Sequence, residues 1–317
     1  MRAARIDRPG SPRVINIVYV PNLPDPGPNE VLVDVARMSI NGADLKTLAG
    51  WFPDLPYPRG LGREFSGVVR AVGSDVATLK KGQRVVGSVE PSMQESVLVD
   101  ASQVMEIPRG LSFDIAATLP VAAQTAWEAV RSQNVQPGAV CVVSGASGGV
   151  GSILVQLLID KGATVIALAR EKHHERLEAI GALPMEWSDR LAKKLEKHTP
   201  KGIHHVFDQV GIPVIEAALD LGVPRSQINS VSGFADFFGV PSVGRVGLNE
   251  IAIEALAKMI VEGRLTIPTF TFPFDDDDIV NAFTSVTVGS YWGKTLISTA
   301  IPDEEAMWKA FTEEPPR

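Results

Sequence analysis

The stretch that decides the fold is Ser144-Gly145-Ala146-Ser147-Gly148-Gly149-Val150-Gly151-Ser152. Five apolar-leaning residues, Ala139 to Val143, run into it, and a helical pattern runs out of it with Val150, Leu154, Leu157 and Leu158 on one face. Strand, glycine turn and helix in that order form the arrangement that cradles a dinucleotide pyrophosphate. The small residues Ala146, Gly148 and Gly151 let the backbone approach the phosphates, and the helix N-terminus offers free N–H groups and the positive end of its dipole. Gly162 ends the helix, and Ala163 to Ala169 reads as a second apolar strand. The unit closes within about thirty residues, the size of a mononucleotide-binding βαβ element. The expected core is therefore an α/β Rossmann domain, a doubly wound parallel sheet.

The bulk numbers narrow the function. The chain has 317 residues, enough for two domains, with 45% hydrophobic and 21% charged residues. A net charge of −7 argues against a nucleic-acid groove or an anionic membrane as the main partner. No apolar run approaches the ~20 residues of a membrane span, and MRAARIDRPG at the start has no apolar signal core. The single cysteine, Cys141, excludes an intrachain disulfide and reads as a buried, inert thiol in the strand before the glycine turn. A cytoplasmic protein is the expectation.

The glycine turn lies in the middle of the chain. Before it come short extended segments broken by Pro and Gly, at Val31–Val35, Gly67–Val72, Arg84–Val89 and Gln94–Val99, which suggest a mainly β domain. After it strands and helices alternate, with further strands at His204–Val210 and Asn229–Gly233 and a helix at Glu250–Val261 that starts on Asn249 and stops at Gly263. Beyond Pro268 short strands return, Thr269–Phe274 and Lys294–Thr299, around a helix at Asp278–Thr284. The acidic run Asp275–Asp278 reads as that helix's start, where carboxylates suit the dipole. The expected division is residues 1–118 plus 268–317 for the first domain and 119–267 for the second. Residues 301–317 form an acidic amphipathic tail in which Met307, Trp308 and Phe311 could pack down.

Several blocks in this order carry a family resemblance: Ser39-Ile40-Asn41-Gly42-Ala43-Asp44, Gly60-Leu61-Gly62-Arg63-Glu64-Phe65-Ser66-Gly67, Gly82-Gln83-Arg84-Val85, the glycine turn, Phe207-Asp208-Gln209-Val210-Gly211 and Gly293-Lys294. Together they resemble the medium-chain dehydrogenase/reductase superfamily, and within it the zinc-free, zeta-crystallin-like quinone oxidoreductases. The resemblance implies a GroES-like irregular barrel, mainly β and built from both chain ends, with the Rossmann domain inserted and the active site in the cleft.

Zinc members of this superfamily take ligands at positions that here hold Asn41 and Arg63, and no cysteine lies in Leu119–Thr125 for the third. A guanidinium stays protonated and cannot ligate. All five histidines, His173, His174, His198, His204 and His205, fall in the expected Rossmann part. No metal is expected.

For the cofactor, the second strand ends Ala167-Leu168-Ala169-Arg170 where NAD-specific domains carry an acid for the ribose hydroxyls. A cation there suits a 2′-phosphate, so NADP(H) is expected, with Arg170 and Lys172 as its partners; the competing reading is that both are solvated surface charges. Trp187 either stacks on the adenine or packs under its loop. The full expected cofactor set is Asn41, Thr125, Ser147, Gly148, Gly149, Val150, Arg170, Lys172, Trp187, Gly211 and Ser232. Asn41 is the candidate polar group beside the nicotinamide or the substrate oxygen. Asp44 is grouped with it as catalytic, although anchoring its loop by accepting backbone N–H groups is the simpler role. Glu64 is expected to be structural, paired with a nearby Arg. Trp51 and Phe52 either line an apolar pocket or fill core.

Without a metal, alcohol oxidation lacks its Lewis acid, and the natural chemistry is hydride transfer to a quinone or an α,β-unsaturated carbonyl. A short-chain dehydrogenase has a similar glycine string, but it would stand near the N-terminus and be followed by Tyr-x-x-x-Lys, and none of Tyr19, Tyr57 and Tyr291 has Lys four residues on. A non-catalytic NADP(H) sensor or a structural protein on this fold is the alternative. A homodimer through the Rossmann sheet edge is implied by the resemblance, with Gly233–Val240 contributing there or covering the substrate.

Overall fold

The computed structural model describes residues 1–244 and 247–301. The tail discussed above lies almost wholly outside them. The chain forms two compact units. One comprises residues 1–121, 247–261 and 268 onward; the other comprises 122–246 and 262–267.

The second unit holds a five-stranded sheet, all of it parallel. Its order is Leu183–Met185, Thr164–Leu168, Val140–Val143, His205–Asp208, Ile228–Ser230. Residues 140–143 and 164–168 are near-continuous apolar runs and 205–208 are wholly buried, as strands covered on both faces require. Val142, Ile166, Val206 and Ile228 are buried in one core with Leu191, Leu195, Val214 and Ile215 from two covering helices, Leu191–His198 and Ile212–Asp220. The strand order reverses beside Val140–Val143, and ligands bind such parallel sheets at the carboxyl ends of strands flanking that reversal.

The first unit is mainly β. Its larger sheet is built on the ten-residue strand Glu30–Ser39, which pairs antiparallel with Phe65–Val72, Ser96–Asp100 and Lys294–Ser298. The last of these comes from the far end of the chain, so the two ends complete one sheet. Val33, Val35, Phe65, Val85 and Ile297 lie in its core, together with Ile279 and Phe283 of the helix Asp276–Thr287. That helix is longer than its apolar pattern suggests because the acidic run caps it: the Asp275 carboxylate accepts from the Asp278 N–H at 2.9 Å.

The helix Glu250–Val261, capped by Asn249 (Ala252 N–H to Oδ1, 3.1 Å), groups with the first unit, not with the second as the sequence reading puts it. Its last residue, Val261, lies against Gly110, whose absent Cβ would stand 3.3 Å from Val261 Cγ2. The alternation of strand and helix runs through this segment unbroken, and pattern alone does not show which surface a helix covers.

Candidate functional site

In the second unit the glycine turn is shaped by its own backbone. Gly145 has φ +58°, a conformation that favours glycine. The Gly148 N–H donates to the Gly145 carbonyl at 2.9 Å, and the Ala146 N–H donates to the Leu168 carbonyl at 3.1 Å, tying the turn to the neighbouring strand. A Cβ on Gly151 would stand 2.2 Å from the Gly145 carbonyl oxygen, so the helix can start this close to the turn only with glycine there. That helix runs Gly151–Asp160 and continues directly from the turn, the Ser152 N–H donating to the Gly148 carbonyl at 2.9 Å and the Leu154 N–H to the Val150 carbonyl at 3.0 Å. Ser147, Gly148, Gly149 and Val150 are half-buried on the turn ahead of it.

One carboxylate, which the sequence reading quotes only as part of a block, organises the adjoining loops. Asp208 is fully buried at the end of its strand. Its Oδ1 accepts from Ser144 Oγ, Val210 N–H and Gly211 N–H, each at 2.9 Å, and its Oδ2 accepts from Ser230 Oγ at 2.7 Å. Ser144 Oγ in turn accepts from the Gln209 N–H at 2.7 Å, and Ser232 joins through Ser230 Oγ at 2.7 Å. Three strand ends are thereby fixed together at the sheet's carboxyl edge. Gln209, leaning on Gly145, has both amide atoms shielded from solvent and without a hydrogen-bond partner among the described residues, and the same holds for Ser152 Oγ. A buried amide left with an unused donor and acceptor beside a phosphate-type turn is what a mixed polar ligand such as a dinucleotide would complete.

Arg170 follows the second strand and is exposed, as is Lys172 in the turn Glu171–His173. Trp187 is half-exposed and lines a groove of about 450 Å³ with Leu191, Pro213 and Ala217. Thr125 is buried in the helix Gln124–Ser132, and Gly211, at φ +125°, is buried against the Phe234 ring. Gly211 and Ser232 thus belong to the loop framework fixed by Asp208.

In the first unit the expected catalytic residues sit in a buried polar cluster. Asn41 ends the long strand and caps the helix Gly42–Leu48. Asp44 accepts from the Asn41 N–H at 2.8 Å and from the Gly62 N–H at 3.0 Å. Burial pushes its carboxyl up to about 6, against the pull of those N–H groups and of the nearby Arg63 and Lys294 charges. This is the geometry of an anchor joining the helix start to residue 62.

The Asn41 amide is gripped from both sides. Its Oδ1 accepts from Lys294 Nζ at 2.7 Å, and its Nδ2 donates to Glu64 Oε1 at 2.8 Å. Lys294 Nζ also donates to the Ile40 carbonyl at 3.0 Å and to Glu64 Oε1 at 3.2 Å. Glu64 accepts further from Ser39 Oγ, and through Oε2 from the Val121 N–H at 2.7 Å. Glu64 and Lys294 are 0% and 2% exposed in their side chains. The partner expected for Glu64 was an arginine; the structure supplies Lys294 instead, because the chain's last strand enters the sheet beside Ser39 and delivers residue 294 to this point. Arg63 turns to Glu90, with Nη1 2.7 Å from Oε2. Trp51 is partly exposed, its ring under the Lys46 ammonium at 5.5 Å.

Among the described residues, no group of three or more His, Cys, Asp or Glu side chains is placed to hold a metal ion, and no helix is long and apolar enough to cross a membrane.

Comparison with known proteins agrees with this geometry. Residues 27–109 match the alcohol dehydrogenase GroES-like domain, and residues 141–220 match the NAD dependent epimerase/dehydratase family. The second match is confined to the nucleotide-binding unit. Over 308 residues the chain is 28% identical to 2-methylene-furan-3-one reductase of Solanum lycopersicum, covering 91% of this chain and 76% of that one. It is 32% identical over 244 residues to the synaptic vesicle membrane protein VAT-1 homolog of Homo sapiens, covering 74% of this chain but only 62% of that protein's length. Among solved structures, the quinone oxidoreductase from Coxiella burnetii superposes with a TM-score of 0.80 at 28% identity, over 94% of this chain and 99% of that one. A GroES-like unit closed by both chain ends, a parallel dinucleotide-binding unit and these relatives together place the chain in the medium-chain dehydrogenase/reductase superfamily, in its quinone oxidoreductase-like branch.

Proposed function

We propose that the chain is an NADPH-dependent oxidoreductase that reduces quinones or α,β-unsaturated carbonyls without a metal. The observation that carries the metal-free part is the fate of Asn41. Where zinc relatives hold their first ligand, this amide is spent on Lys294 and Glu64, and the second position is a guanidinium. Neither an amide nor a guanidinium is among zinc's usual ligands, which are thiolate, imidazole or carboxylate.

The nucleotide reading rests on the glycine turn, the helix that starts on it and the unused Gln209 amide. The preference for NADPH rests on Arg170 standing at the end of the second strand. A bound reduced dinucleotide supplies the hydride. The chain's own part is to hold it on the turn at residues 145–151, to shape the acceptor's surroundings and to present a donor to the oxygen on which charge develops. Asn41 is a poor choice for that donor, since its amide already bonds two charged partners. Its role under this reading, and that of Asp44, is to fix the loop at residues 40–44 in place. We place the enzyme in the cytoplasm on its composition and charge, and as a homodimer on the resemblance; sedimentation at equilibrium tests the assembly.

The test is steady-state oxidation of NADPH with 9,10-phenanthrenequinone, 1,4-benzoquinone and simple enones. Turnover of at least one class supports the reading. Tight NADPH binding with no acceptor reduced would make the protein a sensor or a structural relative instead.

A further inference from the structure

Arg59 and Arg63 converge on one carboxylate in the first unit. Arg59 Nη2 stands 3.3 Å from Glu90 Oε1, and Arg63 Nη1 stands 2.7 Å from Glu90 Oε2. That leaves capacity over: Arg59 Nη1 and Arg63 Nε are shielded from solvent and have no hydrogen-bond partner among the described residues. Buried charged donors are ordinarily satisfied, because leaving them unmade forfeits hydration without return. The nearby Asp44 carboxyl, which accepts from the Asn41 and Gly62 N–H groups, bonds neither of these two nitrogens.

The pair is held in position by backbone. The Ser92 and Met93 N–H groups donate to the Leu61 carbonyl at 3.1 and 2.8 Å, Ser88 Oγ donates to the Arg63 carbonyl at 2.6 Å, and Ser92 Oγ donates to the Glu64 carbonyl at 3.1 Å. Glycine makes the approach possible: a Cβ on Gly60 would stand 2.5 Å from Pro91 Cβ, and one on Gly62 would stand 2.5 Å from Ser92 Oγ. Residues 59–64 and 88–93 are therefore clamped together, which aims both guanidinium groups at the same place. The side chains are 12% exposed at Arg59, 25% at Arg63 and 40% at Glu90, so the cations are largely desolvated yet reachable, and the counter-ion is the most exposed member.

We propose that Arg63, backed by Arg59, is an anion-recognition subsite and that the acceptor this protein reduces carries a carboxylate. With the Glu90 and Asp44 carboxylates beside them, the two cations carry little net positive charge, which suits a monoanion better than a phosphate dianion. The guanidinium fork fits a carboxylate's two oxygens, with Glu90 shifting aside or sharing the donors. The inference deepens the reductase reading, because it takes the first unit as the acceptor's site. It also assigns a use to the guanidinium found where zinc relatives hold a ligand.

The experiment compares a carboxylate with its ester, and separates binding from turnover. Isothermal titration of the intact protein, without dinucleotide, with 3-benzoylpropanoate, which has no conjugated C=C bond to reduce, and with its methyl ester measures recognition alone. The carboxylate is expected to bind at least tenfold tighter. Arg63→Met should erase the difference, Arg63→Lys should restore part of it, and Arg59→Met should reduce it, all with ester affinity unchanged. Equal affinities for carboxylate and ester in the unmodified protein overturn the proposal, whether or not any variant folds. Turnover of 3-benzoylacrylate against its methyl ester should show the same preference in kcat/KM. A carboxylate preference in binding without turnover of any acceptor leaves the subsite standing and sinks the reductase reading, so the two failures are told apart.

Discussion

The Lys294 ammonium stands 2.7 Å from Asn41 Oδ1 and 3.2 Å from Glu64 Oε1, across 253 and 230 residues of chain, with all three groups buried. Because the amide's oxygen faces a cation and its nitrogen faces an anion, turning it over would set like against like on both sides. Its orientation is fixed by charge. Removing one partner strands the other's charge in the interior. Lys294→Met is expected to cost about 3–5 kcal/mol, read as a fall in the urea midpoint, and adding Glu64→Gln should recover much of it. A loss that stays additive in the double variant would show that the pair is not coupled.

Asp44 makes a prediction with a definite sign. Burial raises its carboxyl from 3.8 to about 6, so the native state holds this proton more tightly than the unfolded chain does. The group's contribution to stability is therefore fully present below about pH 4 and is lost as pH rises through 6. Carboxyl-carbon NMR of the folded protein should show Asp44 titrating near 6. Asp44→Asn should flatten that part of the stability–pH curve. A midpoint near 4 would contradict the desolvation that the burial implies.

Gly151 is the point at which the nucleotide turn can be broken with one methyl group. A Cβ there would lie 2.2 Å from the Gly145 oxygen, with the Gly145 carbon and Ala146 Cα also within 3 Å, all of it backbone. Gly151→Ala should weaken NADPH binding at least about tenfold, the equivalent of 1.4 kcal/mol, in a fluorescence titration. Gly138→Ala serves as comparison: Gly138 has a φ of +82° and a Cβ there meets no atoms within 4 Å, so the change should lower stability while sparing nucleotide affinity.

Arg170 carries the cofactor choice. Arg170→Ala should weaken NADPH binding by roughly five- to a hundredfold, the range of one charge-assisted hydrogen bond, and leave NADH binding unchanged. Equal losses for both dinucleotides would return Arg170 to the role of a solvated surface charge.

The nucleotide-binding unit was legible because local pattern specifies it: apolar runs at 140–143 and 164–168, a turn needing small residues, and a helix between. The strand bounds shifted by a residue or two, as at His205–Asp208, where the run ends on a carboxylate that turns inward. What the sequence hid was long-range pairing. Two arginines precede Glu64 within five residues, at 59 and 63, and nothing local shows that both turn to Glu90 while a lysine from the last strand takes the carboxylate. The Asp208 hub was similarly concealed, since its partners Ser144 and Ser230 are 64 and 22 residues away. The helix at 250–261 failed for the same reason: its own pattern is clear, and the surface it covers is set elsewhere.

The most direct test of the account is NADPH oxidation by protein stripped of metal with a chelator, assayed with 1,4-benzoquinone and a simple enone beside the untreated protein. The account predicts equal rates before and after stripping, with no gain on adding zinc. Tight NADPH binding with no acceptor reduced, or activity that disappears on stripping and returns with zinc, would contradict it.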